Sequence, residues 1–145
     1  MARLSAQCCL LTRVTRQYGS DPASDLLGVC YFWSVPADTE FPCRLGTLDL
    51  YARLFGVGPL STRVRVTVTR LHPDGTDRER VYWNLYGLAA PPGTFVRDRS
   101  LKLRDVVVPG EGQYVVRVAR RGRRWGGARS WKLLATDYFF VQRSP

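Results

Sequence analysis

The sequence predicts an all-β fold, in the form of a single-domain antiparallel β-sandwich of about eight strands that spans residues 1–145. Three observations indicate it. Apolar and polar residues alternate with a period of two along most of the chain, as in strands with one buried face. Turn-forming Pro and Gly sequences separate these runs at regular intervals. Long stretches with the 3.6-residue period of an amphipathic helix are absent from the sequence.

The N-terminal part holds two predicted strands, near residues 2–14 and 26–35, and all four cysteines. Cys8, Cys9, Cys30 and Cys43 form no C-x-x-C pair and have no histidine nearby, so their spacing favours neither zinc nor a redox pair. We therefore expect buried free thiols. A Cys8–Cys30 disulfide is the alternative in an oxidising compartment.

The central strands show the alternation most clearly. Within residues 62–71, three valines point one way while arginines and threonines point the other. The turn His72-Pro73-Asp74-Gly75 predicts a hairpin between strands near 62–72 and 78–87. We expect the sequence APPG at 90–93 to end the second of these strands.

The segment 106–118, VVVPGEGQYVVRV, predicts two strands joined at a sharp corner, with Tyr114 just inside the second. In immunoglobulin-like sandwiches a tyrosine at this place bonds back to the upstream backbone. The Gly112-x-Tyr114 pattern resembles that tyrosine corner, and the last third of the chain resembles small bacterial proteins of one β-sandwich domain. The resemblance implies an immunoglobulin-like Greek key and brings no catalytic or binding residues. Val116 stands where antibody domains carry their second intersheet cysteine.

The net charge of +10 comes almost wholly from arginine, since Lys102 and Lys132 are the only lysines. A base-composition bias explains the scattered arginines, whereas a local cluster in 117–132 predicts a binding surface for a protein partner or a nucleic acid. Its candidate residues are Arg117, Arg120, Arg121, Arg123, Arg124, Trp125, Arg129, Trp131 and Lys132. Arginine and tryptophan are frequent anchors of protein interfaces, and they also suit phosphate contact with base stacking.

Aromatic residues are the second candidate feature. They occur together in three predicted strands, at 31–33, 82–86 and 138–140. Adjacent strand residues point to opposite faces, so some of these rings must be exposed or covered by another chain. Core packing and a partner interface are the favoured interpretations, and a sugar-binding platform is an alternative.

Catalytic chemistry has little support in the sequence. The single histidine, His72, lies in a Pro-Asp-Gly turn. No nucleophile elbow, phosphate-binding glycine loop or metal-ligating cluster is present, so we expect no enzyme activity, cofactor, metal site or small-molecule substrate.

The leading hypothesis is a non-enzymatic protein-interaction or structural module, either self-associating or a subunit of a larger assembly. A nucleic-acid-binding accessory protein is the alternative, and a carbohydrate-binding module is the second alternative. No segment reaches the roughly 20 apolar residues of a membrane-spanning helix. The N-terminal apolar run is too short for an export signal, so we expect a cytoplasmic protein without a membrane partner.

Overall fold

A computed structural model describes residues 3–17, 24–29, 32–121 and 130–145, with side chains in 3–6, 32–121 and 130–145. These residues contain strands and no helix, which confirms the predicted all-β class for the described part of the chain. Nine strands lie within it: β1 (Arg3–Gln17), β2 (Ser24–Val29), β3 (Phe32–Val35), β4 (Cys43–Arg44), β5 (Leu48–Leu71), β6 (Asp77–Leu103), β7 (Val107–Val108), β8 (Gly112–Arg121) and β9 (Trp131–Arg143).

Seven of these strands form one curled sheet around β5, in the order β2-β1-β5-β8-β9-β3, with β6 also paired to β5. β6 lies along one edge of β5 for nearly its whole length. The other edge pairs first with β1, at 49–57, and then with β8, at 64–70. The sheet thus has two halves, one containing β1 and the other containing β8. β5 and β6 pass together from the first half to the second.

The long β5–β6 hairpin changes register midway. Gly58 pairs with Gly93 and Leu60 with Ala90, so the two prolines at 91–92 oppose the single Pro59 as a bulge. The prediction that residues 90–93 end a strand is wrong. Proline has no N–H to donate but is tolerated here, because β6 pairs only with β5 in the described chain and its other edge is open.

The prediction of a wholly antiparallel sheet is also wrong, because the sheet is mixed. β3 runs parallel to β9, with Phe32 opposite Phe140 and Val35 opposite Arg143. Parallel neighbours need a long crossover, and here most of the domain lies between the two strands in sequence. A separate two-stranded sheet joins β4 to β7.

The core lies inside the curl of the sheet. It is built from alternate residues of the main strands: Leu48, Leu50, Ala52 and Leu54 on the first half of β5, Val64, Val66 and Val68 on its second half, Leu101 and Leu103 on β6, and Tyr114, Val116 and Val118 on β8. The valines of β5 thus lie on the buried face that the period-two pattern predicted. Among the described cysteines, Cys43 is a half-buried free thiol on β4, and burial raises its pKa. The side chains of Cys8, Cys9 and Cys30 lie outside the described residues.

The predicted turn after β5 agrees with the structure. Gly75 has φ +87° and donates its N–H to the His72 carbonyl at 2.9 Å, which confirms the 72–75 hairpin turn. Within the described ranges, no helix has the length and hydropathy needed to cross a membrane.

Candidate docking surface

Alternation along β5 places a polar row on the outside of the sheet. Val64, Val66 and Val68 are buried, so Arg65 and the threonines at 67 and 69 point outward. Cross-strand partners share a face, and the register sets Arg65 opposite Ala119 and Thr67 opposite Arg117. The outer face of β5 and β8 therefore carries arginines along its middle.

An open groove, here called the aromatic groove, crosses this outer face. The residues that line it come from β5, β6, β8 and β9: Arg65, Thr67, Thr69, Asp77, Arg78, Glu79, Arg80, Arg117, Ala119, Trp131 and Leu133. Two arginine–tryptophan contacts lie at its sides. The Arg65 guanidinium carbon is 4.4 Å from the Trp131 ring centroid, and that of Arg80 is 5.8 Å from the Trp83 centroid. Trp83 and Leu133 are more than half exposed.

Arg65 is a half-buried cation of this groove. Its Nε is buried and has no hydrogen-bond partner in the described structure. Burial lowers the pKa of Arg65, and the nearby positive charge of Arg80 lowers it further. Both effects disfavour the charged form, so an anion placed between Arg65 and Arg80 would relieve them.

The groove also contains carboxylates. Arg117 donates two hydrogen bonds to Asp77, at 2.8 and 3.0 Å, and Arg70 lies 3.7 Å from Glu79. The hydrogen bonds with Arg117 hold the pKa of Asp77 below its usual value and raise the pKa of Arg117. The aromatic groove therefore has mixed charge, with Arg117 already paired.

A second open groove is here called the arginine cleft. Arg121 lines it, and the guanidinium carbon of Arg121 is 5.9 Å from the centroid of Trp131, which lines the aromatic groove. It is lined by Ser61, Thr62, Arg63, Gly87, Leu88, Ala89, Arg97, Arg99 and Arg121, and none of these is acidic. Arg63 and Arg121 are cross-strand neighbours, because the adjacent Val64 pairs with Arg120. Arg97 and Arg99 donate to the Ala89 and Gly87 carbonyls, at 3.1 and 3.3 Å.

The structure divides the described part of the predicted basic segment between two faces. Arg117 and Arg121 lie on the outer face, and Arg121 pairs with Trp131. Arg120 pairs with Lys132 and, opposite the buried Val64, belongs to the core-facing row at the end of the sheet. Alternation in β8 thus separates residues that are adjacent in sequence. The remaining predicted residues, Arg123, Arg124, Trp125 and Arg129, lie outside the described residues.

The predicted tyrosine corner lies at the start of β8. The fully buried Tyr114 hydroxyl donates to the Gly110 carbonyl at 2.6 Å, and its ring stacks on Phe139 at 5.4 Å. Burial raises the pKa of Tyr114. Gly112 has φ +140°, a conformation in which an L side chain would be strained. The corner hydrogen bond expected from the sequence pattern is therefore present, and it holds the start of β8.

Sequence reasoning missed five arginines of the two grooves: Arg63, Arg65, Arg80, Arg97 and Arg99. Trp83, in contrast, belongs to the aromatic set at 82–86 that the sequence predicted to be partly exposed, and it is 54% exposed. For Arg63 and Arg65 a signal exists, because they alternate with buried valines and must point outward. For Arg97 and Arg99 there is none, since only the bend of β6 brings them to residues 87–89. Exposed aromatics also continue along β9, where Phe140 stacks on Phe32 at 5.3 Å.

The comparisons with known proteins add no family to this description. Neither protein-family models nor curated protein sequences match the chain.

Proposed function

We propose that the protein is a non-enzymatic interaction module, a subunit of a larger assembly, that docks an acidic protein partner through the aromatic groove. The observation that carries the proposal is the pair of arginine–tryptophan contacts at the sides of this groove. Tryptophan and arginine are the residues in which the binding energy of protein interfaces is most often concentrated.

Charge supports an acidic partner rather than a second copy of the chain. The net charge of the chain is +10, so two copies would repel each other on self-association. Arg65 and Arg80 lie close enough for mutual repulsion, and a partner carboxylate would neutralise both. Trp83 and Leu133, more than half exposed, would supply the apolar area that the partner covers.

The proposal also has an architectural part. We infer that the two halves of the curled sheet are the two layers of a sandwich with immunoglobulin-like Greek-key connectivity. Its support is the tyrosine-corner hydrogen bond of Tyr114 and the way β5 and β6 pass together between the halves. An experimentally determined structure tests it, because a single-layered or barrel-like sheet would contradict the layering.

Site-specific photo-crosslinking tests the docking surface. A photoreactive residue replaces Leu133 at the groove, and in a matched variant it replaces Val107, an exposed residue on β7. The expected result in the producing cells is one prominent protein adduct from position 133, absent from position 107, whose partner has an acidic surface. The adduct should disappear when Arg65→Gln and Arg80→Gln are combined, and it should weaken at high salt.

Three results would overturn the proposal. Equal adducts from both positions would mean that contact is non-specific. Adducts with a second copy of this chain, together with a dimer in light scattering, would establish self-association instead. Adducts with nucleic acid alone would place the other class of partner in the groove.

A further inference from the structure

The arginine cleft differs from the aromatic groove in having only positive charge. Arg63, Arg97, Arg99 and Arg121 all line it, without an acidic residue among the lining residues. Guanidinium groups are always charged, so the four side chains repel one another unless water or an anion screens them. The arrangement is therefore complementary to a ligand with several negative charges.

The carboxylate nearest to Arg97 and Arg99 in sequence already pairs with another arginine. Asp98 lies between Arg97 and Arg99 on β6, but it accepts hydrogen bonds from Arg53 at 2.9 and 3.3 Å, and its side chain is only 5% exposed. Alternation points it away from its two neighbours. Arg97 and Arg99 donate to backbone carbonyls, which orient the guanidinium groups without neutralising them.

We propose that the arginine cleft binds the sugar-phosphate backbone of a nucleic-acid strand, at a site separate from the protein-docking groove. Guanidinium forks bind phosphate oxygens through paired hydrogen bonds. Ser61 and Thr62 line the same cleft, and serine and threonine hydroxyls commonly donate to phosphates. Contacts of this type position a strand without selecting its sequence.

The lining chemistry favours phosphate over an acidic protein segment at this site. Its remaining residues are Gly87, the buried Leu88 and the small Ala89, so the cleft offers no exposed aromatic or large apolar anchor. Protein interfaces depend on such anchors, whereas backbone binding of nucleic acid depends mainly on charge. The aromatic groove, by contrast, offers such anchors in the exposed Trp83 and Leu133.

Fluorescence anisotropy with a labelled single-stranded oligothymidylate of about 20 nucleotides tests the site. The wild-type protein should bind it at about 50 mM salt and lose affinity steeply toward about 200 mM. The double variant R97Q/R99Q should weaken binding about tenfold and reduce the slope of log affinity against log salt by about 1.4, which is 0.7 for each lost phosphate contact. The single variant R63Q should reduce the slope by about 0.7.

The control is R44Q/R104Q, which removes the same charge from exposed arginines outside the cleft and should change affinity less than about twofold. The proposal is overturned if the wild type does not bind at low salt, or if the control weakens binding as much as R97Q/R99Q does. It is also overturned if polyglutamate of equal length binds as tightly and loses affinity with the same variants, because the site would then favour an acidic peptide. Photo-crosslinking at Leu133 tests the protein-docking proposal separately.

Discussion

The two halves of the curled sheet place their carboxylates differently. In the half that contains the start of β5 and the end of β6, Asp49 and Asp98 have side chains only 3% and 5% exposed, paired with Lys102 and Arg53. In the half that contains β8, Asp77 and Glu79 are 58% and 47% exposed and line the aromatic groove. The carboxylates of the first half are therefore buried in the fold, whereas those of the second half are exposed to solvent.

This difference explains how one arginine-rich composition produces two unlike surfaces. The arginine cleft takes Arg97 and Arg99 from the first half and Arg63 and Arg121 from the second. Its lining holds no carboxylate, because Asp98, between Arg97 and Arg99 in the chain, is buried and paired with Arg53. Where the carboxylates are exposed, they pair with Arg117 and lie near Arg70, and the surface has mixed charge. The positions of a few carboxylates, more than the number of arginines, therefore set the charge of each groove.

Removing the tryptophan ring that Arg65 stacks on should have the largest effect. Trp131→Ala removes the platform for Arg65 in the aromatic groove, so affinity for the crosslinked partner should fall by about 2 kcal/mol, or roughly thirtyfold. Affinity for the oligonucleotide should change less than about threefold, because Arg121 remains. Calorimetric titration and anisotropy measure the two affinities. Equal losses of both would show that the grooves are one site; Val107→Ala is the control.

Breaking the ion pair between the half-exposed Lys102 of β6 and the buried Asp49 of β5 should have the next largest effect. Lys102 Nζ lies 2.7 Å from both Asp49 carboxylate oxygens, and Asp49 is buried. Lys102→Ala removes the ammonium partner of that carboxylate, so the free energy of unfolding should fall by about 2 kcal/mol, as measured by urea titration. Lys132→Ala, at an exposed lysine, should change it by less than about 0.5 kcal/mol. Similar values for both variants would contradict the contrast between the halves.

The tyrosine corner should give a smaller loss. Tyr114→Phe leaves the Gly110 carbonyl without its buried donor, and we expect the free energy of unfolding to decrease by about 1 to 2 kcal/mol. Tyr138→Phe is the matched control, because Tyr138 is about half exposed on the neighbouring strand. An unchanged urea midpoint for Tyr114→Phe would show that the corner hydrogen bond does not stabilise the fold.

The exposed pair in the aromatic groove should contribute least. Asp77→Asn should lower the free energy of unfolding by less than about 0.5 kcal/mol at neutral pH, because the carboxylate is mostly exposed. The pKa of Asp77 is lowered in the folded state, so its contribution is present above the unfolded pKa of about 4 and is lost as pH falls through the folded value. Urea midpoints between about pH 6 and pH 2.5 should therefore fall less for D77N than for the wild type. Asp38→Asn, in an exposed loop, is the control, and identical pH profiles for wild type and D77N would contradict the pairing.

Local patterns predicted much of this molecule because their causes are local. The outward position of Arg65, the turn at 72–75 and the corner at Tyr114 all follow from alternation or from backbone preferences of Pro and Gly. The strand break expected at 90–93 did not occur, because the open edge of β6 accepts prolines. That edge depends on which strands pair, and pairing is not a local property.

The candidate surface was predicted only in part for the same reason. Arg117 and Trp131 line the aromatic groove and Arg121 lines the arginine cleft, but Arg120 and Lys132 lie in the other row of their strands. Nothing in residues 63 and 97–99 indicates that they meet, since more than thirty positions separate them in the chain.

The sequence by itself determined the all-β class, the buried face of β5 and the tight corner before β8, because side-chain alternation and backbone preferences act over a few residues. The tertiary structure decided the parallel pairing of β3 with β9, the continuity of β5 and β6 through their bend, and the separation of a mixed-charge groove from a cleft whose charged lining residues are all arginine. Register and curvature bring distant residues together, and they depend on the packing of the whole sheet around its core.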